Sequence, residues 1–222
     1  MPRTVLCWSG GKDSAWTLHE LRSAGVEVAA LLTTVNEANG RVAMHAIRRE
    51  LLDAQAEAAG IPLWTVDLPW PCTNADYESR MAAACRRAAD AGAVHIAFGD
   101  LFLQDIRAYR ERNLQGSGLT PIFPIWERPT ADLAREMIAG GLRARITCID
   151  ARALPREFAG REYDAQFLAD LPPAADPCGE NGEFHSFVYD GPFFQHPIAV
   201  QAGELHQDGD FIFADLMRPE VS

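Results

Sequence analysis

The stretch "TVLCWSGGKDS", residues 4–14, decides the fold. Its apolar start predicts a buried strand over Thr4–Trp8. Two adjacent glycines follow, and apolar residues then recur at helical spacing over Asp13–Ala24, where Gly25 ends the predicted helix. A buried strand that turns through glycine into a helix is the opening unit of a domain in which strands and helices alternate.

The alternation continues through the first 128 residues. Further apolar runs predict strands over Val26–Val35, Pro62–Leu68, Val94–Phe98 and Leu119–Phe123. Helical spacing predicts helices over Ala46–Ala59, Asn74–Ala91 and Leu103–Leu114, with Asn74 as an N-cap. Because the strands are apolar throughout, both faces of their sheet must be covered. The predicted fold is therefore α/β, a doubly wound, five-stranded parallel sheet.

The pattern changes after Arg128, and we predict a first domain over 1–128 and a smaller α+β domain over 129–222. The second domain begins with a predicted helix and strand, at Thr130–Ala139 and Ala144–Asp150. A proline-rich stretch then precedes two predicted strands, at Phe184–Tyr189 and Phe211–Leu216, which the segment "IAVQAGELH" separates. No repeats divide the chain further.

Composition excludes several functional classes. The hydrophobic fraction is 48% and the charged fraction is 23%, as in soluble globular proteins. No apolar run has the length of a membrane span, and the first apolar run leads into a glycine turn, unlike a signal peptide. The five cysteines form no CxxC pair, which excludes a zinc ribbon and fits a reducing compartment. We therefore expect a cytoplasmic protein without a membrane partner.

The chain is acidic, with a net charge of −11. Such a surface repels a phosphate backbone, so broad nucleic-acid binding is disfavoured. A local basic pocket for a nucleotide is still compatible with this charge.

The turn "SGGKDS" offers several groups that bind anions. Gly10 and Gly11 lack a Cβ, so the backbone can turn tightly and approach a ligand. The helix that follows directs its free N–H groups to the same place. Ser9 and Ser14 add hydroxyls, and Lys12, the only lysine in the chain, adds a compact, mobile positive charge that can follow a phosphate as it leaves. We predict a cradle for pyrophosphate.

Two better-known phosphate loops do not match this turn. In the Walker pattern a glycine would replace Leu6, and a serine or threonine would replace Asp13. The dinucleotide pattern GxGxxG is absent as well. The remaining alternative is a glycine-rich turn with a serine cap and no ligand.

The order strand, "SGGKDS", helix resembles the signature of the PP-loop ATP pyrophosphatases. That resemblance implies cleavage of ATP between the α and β phosphates, transfer of AMP to an acceptor oxygen, and displacement of AMP by a nucleophile. Five further segments, in order, extend the resemblance to the diphthine–ammonia ligase family: "RVAMH", "AQAEAAGIPL", "FGDLFLQDIRAYRE", "LTPIFPIW" and "GENGEFHSFVYDGP". The family implies a HUP-class (adenine nucleotide alpha hydrolase-like) domain, ATP and Mg²⁺, and ammonia as the nitrogen donor. Its acceptor is diphthine on elongation factor 2.

One segment departs from the family's pattern. Archaeal and eukaryotic members carry a version closer to "GEGGEYET", and the form "GENGEFH" found here is similar to bacterial members. Bacteria are not expected to make diphthamide. The resemblance therefore supports the activation chemistry more strongly than it supports diphthine as the acceptor, which stays unknown. The sequence is also compatible with a homodimer.

Candidate site residues follow from the ends of the predicted strands and from the resemblance. Asp13 is assigned to Mg²⁺, with a helix N-terminal acid as the alternative, and Asp100 to catalysis, with a helix cap as the alternative. Glu183 and His185 are assigned to catalysis, Glu180 to the substrate, and a polar hairpin with solvated charges is their alternative. The nucleotide site also receives Thr33, His45 and Gly99.

Two arginines complete the predicted site. Arg107 and Arg110 lie three residues apart, hence on one helix face, and can clamp a phosphate or carboxylate. Pairing with Asp105 or Glu111 on the helix surface is the alternative. For His45 the alternative is a capping or packing role.

The sequence thus predicts an amide-forming, AMP-releasing ligase. One alternative is a PP-loop enzyme that modifies tRNA, although the chain lacks the cysteine pairs or basic extension such an enzyme needs. The other is a non-catalytic protein that binds an adenine nucleotide on the same fold, which would not need Lys12.

Overall fold

A computed structural model describes residues 3–42 and 47–219. Its first sheet has five strands, all parallel, in the order β3-β2-β1-β4-β5. The strands are β1 Arg3–Cys7, β2 Glu27–Asn36, β3 Leu63–Leu68, β4 Ala93–Ala97 and β5 Thr120–Ile122. The prediction of a five-stranded parallel sheet is confirmed. The strand order reverses between β1 and β4, and ligands of such sheets bind at that point, beyond the carboxyl ends of the strands.

Helices cover both faces of this sheet, as the prediction of a doubly wound fold requires. They are α1 Lys12–Ser23, α2 Arg49–Ala59, α3 Asn74–Asp90 and α4 Gln104–Asn113. One buried cluster contains side chains from α1 and α2, and a second contains side chains from α3. Helix α4 contributes no buried residue, and it lies beside the carboxyl ends of the strands.

The N-cap of α3 differs from the prediction by one residue. Thr73, and not Asn74, is the cap. Its hydroxyl accepts the N–H of Asp76 at 3.1 Å, and the Asp76 carboxylate accepts the N–H of Thr73 at 3.2 Å. The prediction was wrong because this reciprocal capping box satisfies two free N–H groups, whereas a single side-chain cap satisfies only one.

The C-terminal part forms an antiparallel sheet in the order β7-β6-β9-β8. Its elements are helices α5 Thr130–Ala139 and α6 Ala165–Asp170, and strands β6 Arg143–Asp150, β7 Phe184–Asp190, β8 Gln201–Asp208 and β9 Phe211–Met217. The prediction missed β8, because this edge strand is exposed along most of its length and lacks the apolar alternation of a covered strand. No helix within the described ranges is long and apolar enough to cross a membrane.

The two sheets share one hydrophobic core. The cluster that contains Leu6 and Trp16 of the first sheet's layer also contains Phe184, Phe187 and Val188 of β7. The interface between the sheets is therefore packed like the interior of a single domain. It brings β7 beside α1 and the glycine turn that precedes α1.

A polar contact joins the second sheet to the segment after β2. The carboxylate of Asp215, in β9, accepts hydrogen bonds from Arg41 and Arg48, the former at 2.8 Å. Although partial burial works in the opposite direction, these bonds lower the pKa of Asp215 to about 2. The segment that enters α2 is thereby fastened to β9.

Candidate functional site

A cavity of about 370 Å³ lies at the point where the strand order reverses. This volume lies within the usual range for small-molecule sites. Its wall is formed by the glycine turn, the carboxyl ends of the strands, α4 and the segment that enters β7. The predicted site residues that line it are Ser9, Gly11, Lys12, Asp13, Ser14, Thr33, Gly99, Asp100, Arg110, Glu180 and His185.

The glycine turn is held in a shape that only glycine permits at Gly10. Its φ is +80°, and a Cβ placed there would lie 2.9 Å from Oε1 of Gln55. A Cβ on Gly99 would likewise lie 2.9 Å from the carbonyl carbon of Asp13. Both glycines are therefore needed for close packing, and the second allows the end of β4 to touch the start of α1.

The first N–H groups of α1 and its turn meet hydroxyls that line the cavity. The N–H of Gly11 donates to Oγ of Ser9 at 3.2 Å, and the N–H of Lys12 donates to Oγ of Ser186 at 3.2 Å. Oγ of Ser14 lies 3.2 Å from Oγ of Ser9. A helix N-terminus with hydroxyls around it can bind a phosphate group.

Lys12 is enclosed rather than mobile. Its side chain is only 3% exposed, and Nζ donates to both carboxylate oxygens of Asp13 (3.0 and 2.8 Å) and to the carbonyl of Cys178. Nζ also lies 5.8 Å and 5.3 Å from the ring centroids of Tyr163 and Phe184. Burial, the largest single influence, lowers the pKa of Lys12, but Asp13, Cys178 and Glu180 together outweigh it and the pKa is raised. The ammonium is thus charged and held against the segment that enters β7.

The carboxylates of Asp13 and Asp100 have cationic partners. Burial raises the pKa of Asp13, an effect that Lys12 only partly offsets. Oδ2 of Asp100 accepts from Nε of Arg110 at 3.4 Å, and the Arg110 guanidinium lies 4.8 Å from the ring centroid of Phe98. Burial lowers the pKa of Arg110, but Asp100, Cys7 and Tyr77 together outweigh burial, so the pKa is raised. Arg110 is a fixed cation in the cavity wall.

The two predicted arginines do not act as one clamp. Arg107 lies outside the cavity lining, pairs with Glu111 at 2.9 Å, and covers the rings of Phe123 and Trp126 at 4.9 and 4.8 Å. This is the surface pairing named above as the alternative, with an aromatic platform in addition. A substrate role for Arg107 stays a prediction.

Glu180 is the carboxyl group of the second sheet's layer that lines the cavity. Its Oε1 accepts the N–H of Leu101 at 2.8 Å. Burial raises the pKa of Glu180 to about 7, because it outweighs the opposing hydrogen bond from Leu101, and the charge of Asp13 acts in the same direction as burial. Near neutral pH this group can therefore either accept or donate a proton.

Glu183 lies outside the cavity lining, and the residue is only 6% exposed. Its carboxylate accepts the N–H groups of Asp176 (2.8 Å) and Asn181 (3.1 Å), and the side-chain amide of Asn181 at 3.0 Å. It therefore ties together the segment that carries Glu180. A catalytic role for Glu183 stays a prediction.

His185 and Ser186 both line the cavity, although neighbours on a regular strand point to opposite faces. The pairing of β7 with β6 slips between these two residues, because Ser186 pairs with Ile146 and His185 with Cys148. The extra residue at this slip, Thr147, lies on β6. Sequence reasoning missed Ser186 because its partner, the N–H of Lys12, lies 174 residues away. His45 lies outside the described residues.

Asp13 is the side chain that we predicted to bind a divalent cation at this site. Among the described residues, no group of three or more His, Cys, Asp or Glu side chains could hold a metal ion. Mg²⁺ is commonly bound through one or two carboxylates together with the phosphates of its nucleotide. The side chains present fit that mode, and they do not fit a metal site built from protein ligands alone.

Known proteins are similar in sequence to this protein along nearly the whole chain. Two family models match, described as the diphthamide synthase N-terminal domain over residues 2–121 and the diphthamide synthase C-terminal domain over residues 129–220. A diphthine–ammonia ligase of Danio rerio is 29% identical over 245 residues, covering 97% of this chain and 94% of the relative. A diphthine–ammonia ligase of Homo sapiens is 25% identical over 229 residues, covering 91% and 84%.

The matches cover the two layers that build the cavity: the parallel sheet with its glycine turn, and the antiparallel sheet with the segment that enters β7. The first model alone spans more than half of the chain. The chain therefore belongs to the diphthamide synthase family.

Proposed function

We propose that this protein is an ATP-dependent, amide-forming ligase that releases AMP and pyrophosphate. The observation that carries the proposal is the glycine turn at the start of α1, with the charged Lys12 beside Asp13 at the wall of a 370 Å³ cavity. An oriented set of N–H groups and one fixed cation suit a pyrophosphate leaving group. The names of the relatives, diphthine–ammonia ligase, support the same reaction class.

In this proposal ATP binds with its β and γ phosphates on the turn from Ser9 to Ser14. Gly99 lets the end of β4 approach the turn, and Thr33 forms part of the wall at the end of β2. His45 is assigned to the same nucleotide from the sequence alone. Asp13 would hold Mg²⁺ on the phosphates, which supplies positive charge to the departing pyrophosphate.

The first chemical step joins the acceptor to AMP. A carboxylate oxygen of the acceptor attacks the α-phosphorus of ATP, and the bond to the bridging oxygen breaks, so that pyrophosphate leaves with the electron pair. The hydroxyls around the start of α1 and the positive charge of Lys12 would stabilise the charge that develops there. Arg110, held by Asp100, faces the cavity and can neutralise the acceptor's carboxylate or the α-phosphate.

The second step forms the amide. Ammonia attacks the activated carbonyl carbon, the nitrogen passes one proton to the carboxylate of Glu180, and the bond to AMP breaks, so that AMP leaves with the electron pair. Glu180 and His185 line the cavity and are the side chains we assign to positioning the acceptor and ammonia. Glu183 would act by holding the segment that carries Glu180.

The acceptor in the proposal is a carboxyl group, and diphthine, named by the relatives, is the first candidate. Because the "GENGEFH" segment differs from the form in archaeal and eukaryotic members, a different carboxylate acceptor is the second candidate. The five cysteines are free thiols, which fits the cytoplasm as the place of reaction.

The test supplies the purified protein with ATP, magnesium, ammonium and candidate carboxylate acceptors, and measures the nucleotide products. AMP and pyrophosphate that form only with an acceptor support the proposal, and ¹⁵N from ammonium must appear in the product amide. ADP and phosphate as products would refute the pyrophosphatase chemistry. AMP formation without ¹⁵N incorporation would refute ammonia as the nitrogen donor.

A further inference from the structure

A glutamine outside the cavity lining connects the glycine turn to the second sheet. Gln55, on α2, is completely buried and does not line the cavity. Its Oε1 accepts the indole N–H of Trp8 at 2.9 Å. Its Nε2 donates to the carbonyl of Gly10 at 2.9 Å and to the carbonyl of Val188 at 2.6 Å.

The orientation of this amide is fixed by its partners. The indole of Trp8 can only donate, and the two backbone carbonyls can only accept. The three contacts therefore use the carbonyl oxygen and both N–H groups of the side chain. Because the amide cannot be reversed, Gln55 holds two segments, the turn at Trp8 and Gly10 and strand β7 at Val188, in one geometry against α2.

The segments that it joins are those that shape the phosphate cradle. The carbonyl of Gly10 also accepts the backbone N–H of Val188 at 3.0 Å. Two residues earlier on β7, Oγ of Ser186 accepts the N–H of Lys12 at 3.2 Å. The glycine turn is thus attached to β7 at two points. At the first of them, Gln55 bonds to both partners, the carbonyls of Gly10 and Val188.

We infer that Gln55 is a positioning residue for nucleotide binding: by fixing the carbonyl of Gly10 against β7, it sets the position of the glycine turn and of the Ser9 and Ser186 hydroxyls that would meet the phosphates. The inference rests on the proposed function, since it assumes that the turn binds the phosphates of ATP. It adds a residue that touches neither phosphate nor acceptor, and it makes β7 part of the nucleotide site.

The choice of glutamine follows from its chemistry. Glutamate has the same shape, but its second oxygen would face two carbonyl oxygens without a proton to share. Methionine has a similar length and leaves both carbonyls and the indole without their partner. In either case the buried carbonyl of Gly10 loses one of two donors and the turn is no longer held on the α2 side.

The test measures the affinity for ATP by calorimetry, without an acceptor, for the wild type and for Gln55→Glu. We expect the dissociation constant to rise at least about tenfold, which corresponds to about 1.4 kcal/mol. Inorganic pyrophosphate, as a second probe, should weaken by a similar factor because it meets the same turn. If Gln55→Glu does not fold, Gln55→Met is measured instead, with the same expectation.

The matched control is Leu51→Ala on the same helix. Leu51 is completely buried but lines no part of the cavity, so its truncation lowers stability without altering the turn. All variants are compared well below their unfolding midpoints. Unchanged ATP affinity in Leu51→Ala, with weakened affinity in the Gln55 variant, supports the inference.

Two outcomes separate the possible failures. If the wild type binds ATP and the Gln55 variant binds it within twofold, or if Leu51→Ala weakens binding equally, the role of Gln55 is refuted and the proposed function stands. If the wild type binds neither ATP nor pyrophosphate, the proposed function is refuted, and the inference with it.

Discussion

Replacing Lys12 by methionine tests whether the buried ammonium holds the two layers together. The change keeps an unbranched chain of similar length but removes the charge that pairs with Asp13 and the donor to the carbonyl of Cys178. Removing one partner of a buried ion pair costs about 3–5 kcal/mol. Since the Asp13 side chain is 27% exposed, water can solvate it in part, and we expect the lower end, about 3 kcal/mol.

The double variant Lys12→Met/Asp13→Asn isolates the pair itself. Because Asp13→Asn removes the charge that Lys12→Met leaves unpaired, the double variant should be more stable than the sum of the single losses implies, by about 1–2 kcal/mol. The free energy of unfolding in urea at pH 7, for the wild type and the three variants, gives this coupling. A loss below about 1 kcal/mol in Lys12→Met, or strictly additive losses, would refute the structural role argued for Lys12.

The same cycle can be combined with activity. Lys12→Arg keeps the charge, but the wider guanidinium must fit between the rings of Tyr163 and Phe184, which overpacks the site at about 1–3 kcal/mol. We expect this variant to fold at reduced stability and to lose most AMP formation. Full activity would show that a planar cation serves the leaving pyrophosphate equally well.

Three further outcomes are expected. The pKa of Glu180 is raised by burial to about 7 in the folded state. The unfolded chain therefore releases this proton at lower pH than the folded protein, and the free energy of unfolding should fall as pH rises from about 4.5 to about 7. Between pH 5 and pH 7.5, urea unfolding should show a smaller fall in Glu180→Gln than in the wild type. Equal falls in the two proteins would contradict this. Asp215→Asn should cost about 1 kcal/mol in urea unfolding at pH 7, because Arg41 and Arg48 lose the negative charge of this carboxylate. Asp208→Asn, at an exposed position of β8, serves as its control. Gly10→Ala should lose more stability than Gly25→Ala in thermal unfolding, since both positions have positive φ but only Gly10 is crowded; equal losses would mean that crowding at the turn costs nothing.

The sequence predicted the parallel sheet because its strands are apolar and separated by helices of clear period. It also predicted the glycine turn, since adjacent glycines between a buried strand and a helix are a local signal. What it could not supply were contacts across long separations. Ser186 lies 174 residues after Lys12, and Cys178 lies 166 residues after it. No local pattern marks either partner.

The assumption of a mobile Lys12 failed for the same physical reason. From the sequence, a lysine between glycine and aspartate at a helix start resembles an exposed side chain. The structure covers it with a segment that enters β7, and the shared hydrophobic core sets that packing. The exposed strand β8 was missed for the opposite reason, because it buries too little to leave an apolar signature.

The attachment of β7 to the glycine turn has a consequence for the evolution of this family. If the glycine turn binds ATP as we propose, its phosphate site depends on a strand from another sheet and is not a portable module. Exchanging the C-terminal halves of two relatives would then alter the affinity for ATP as well as the acceptor. Substitutions in β7 would in that case be limited by the phosphate site.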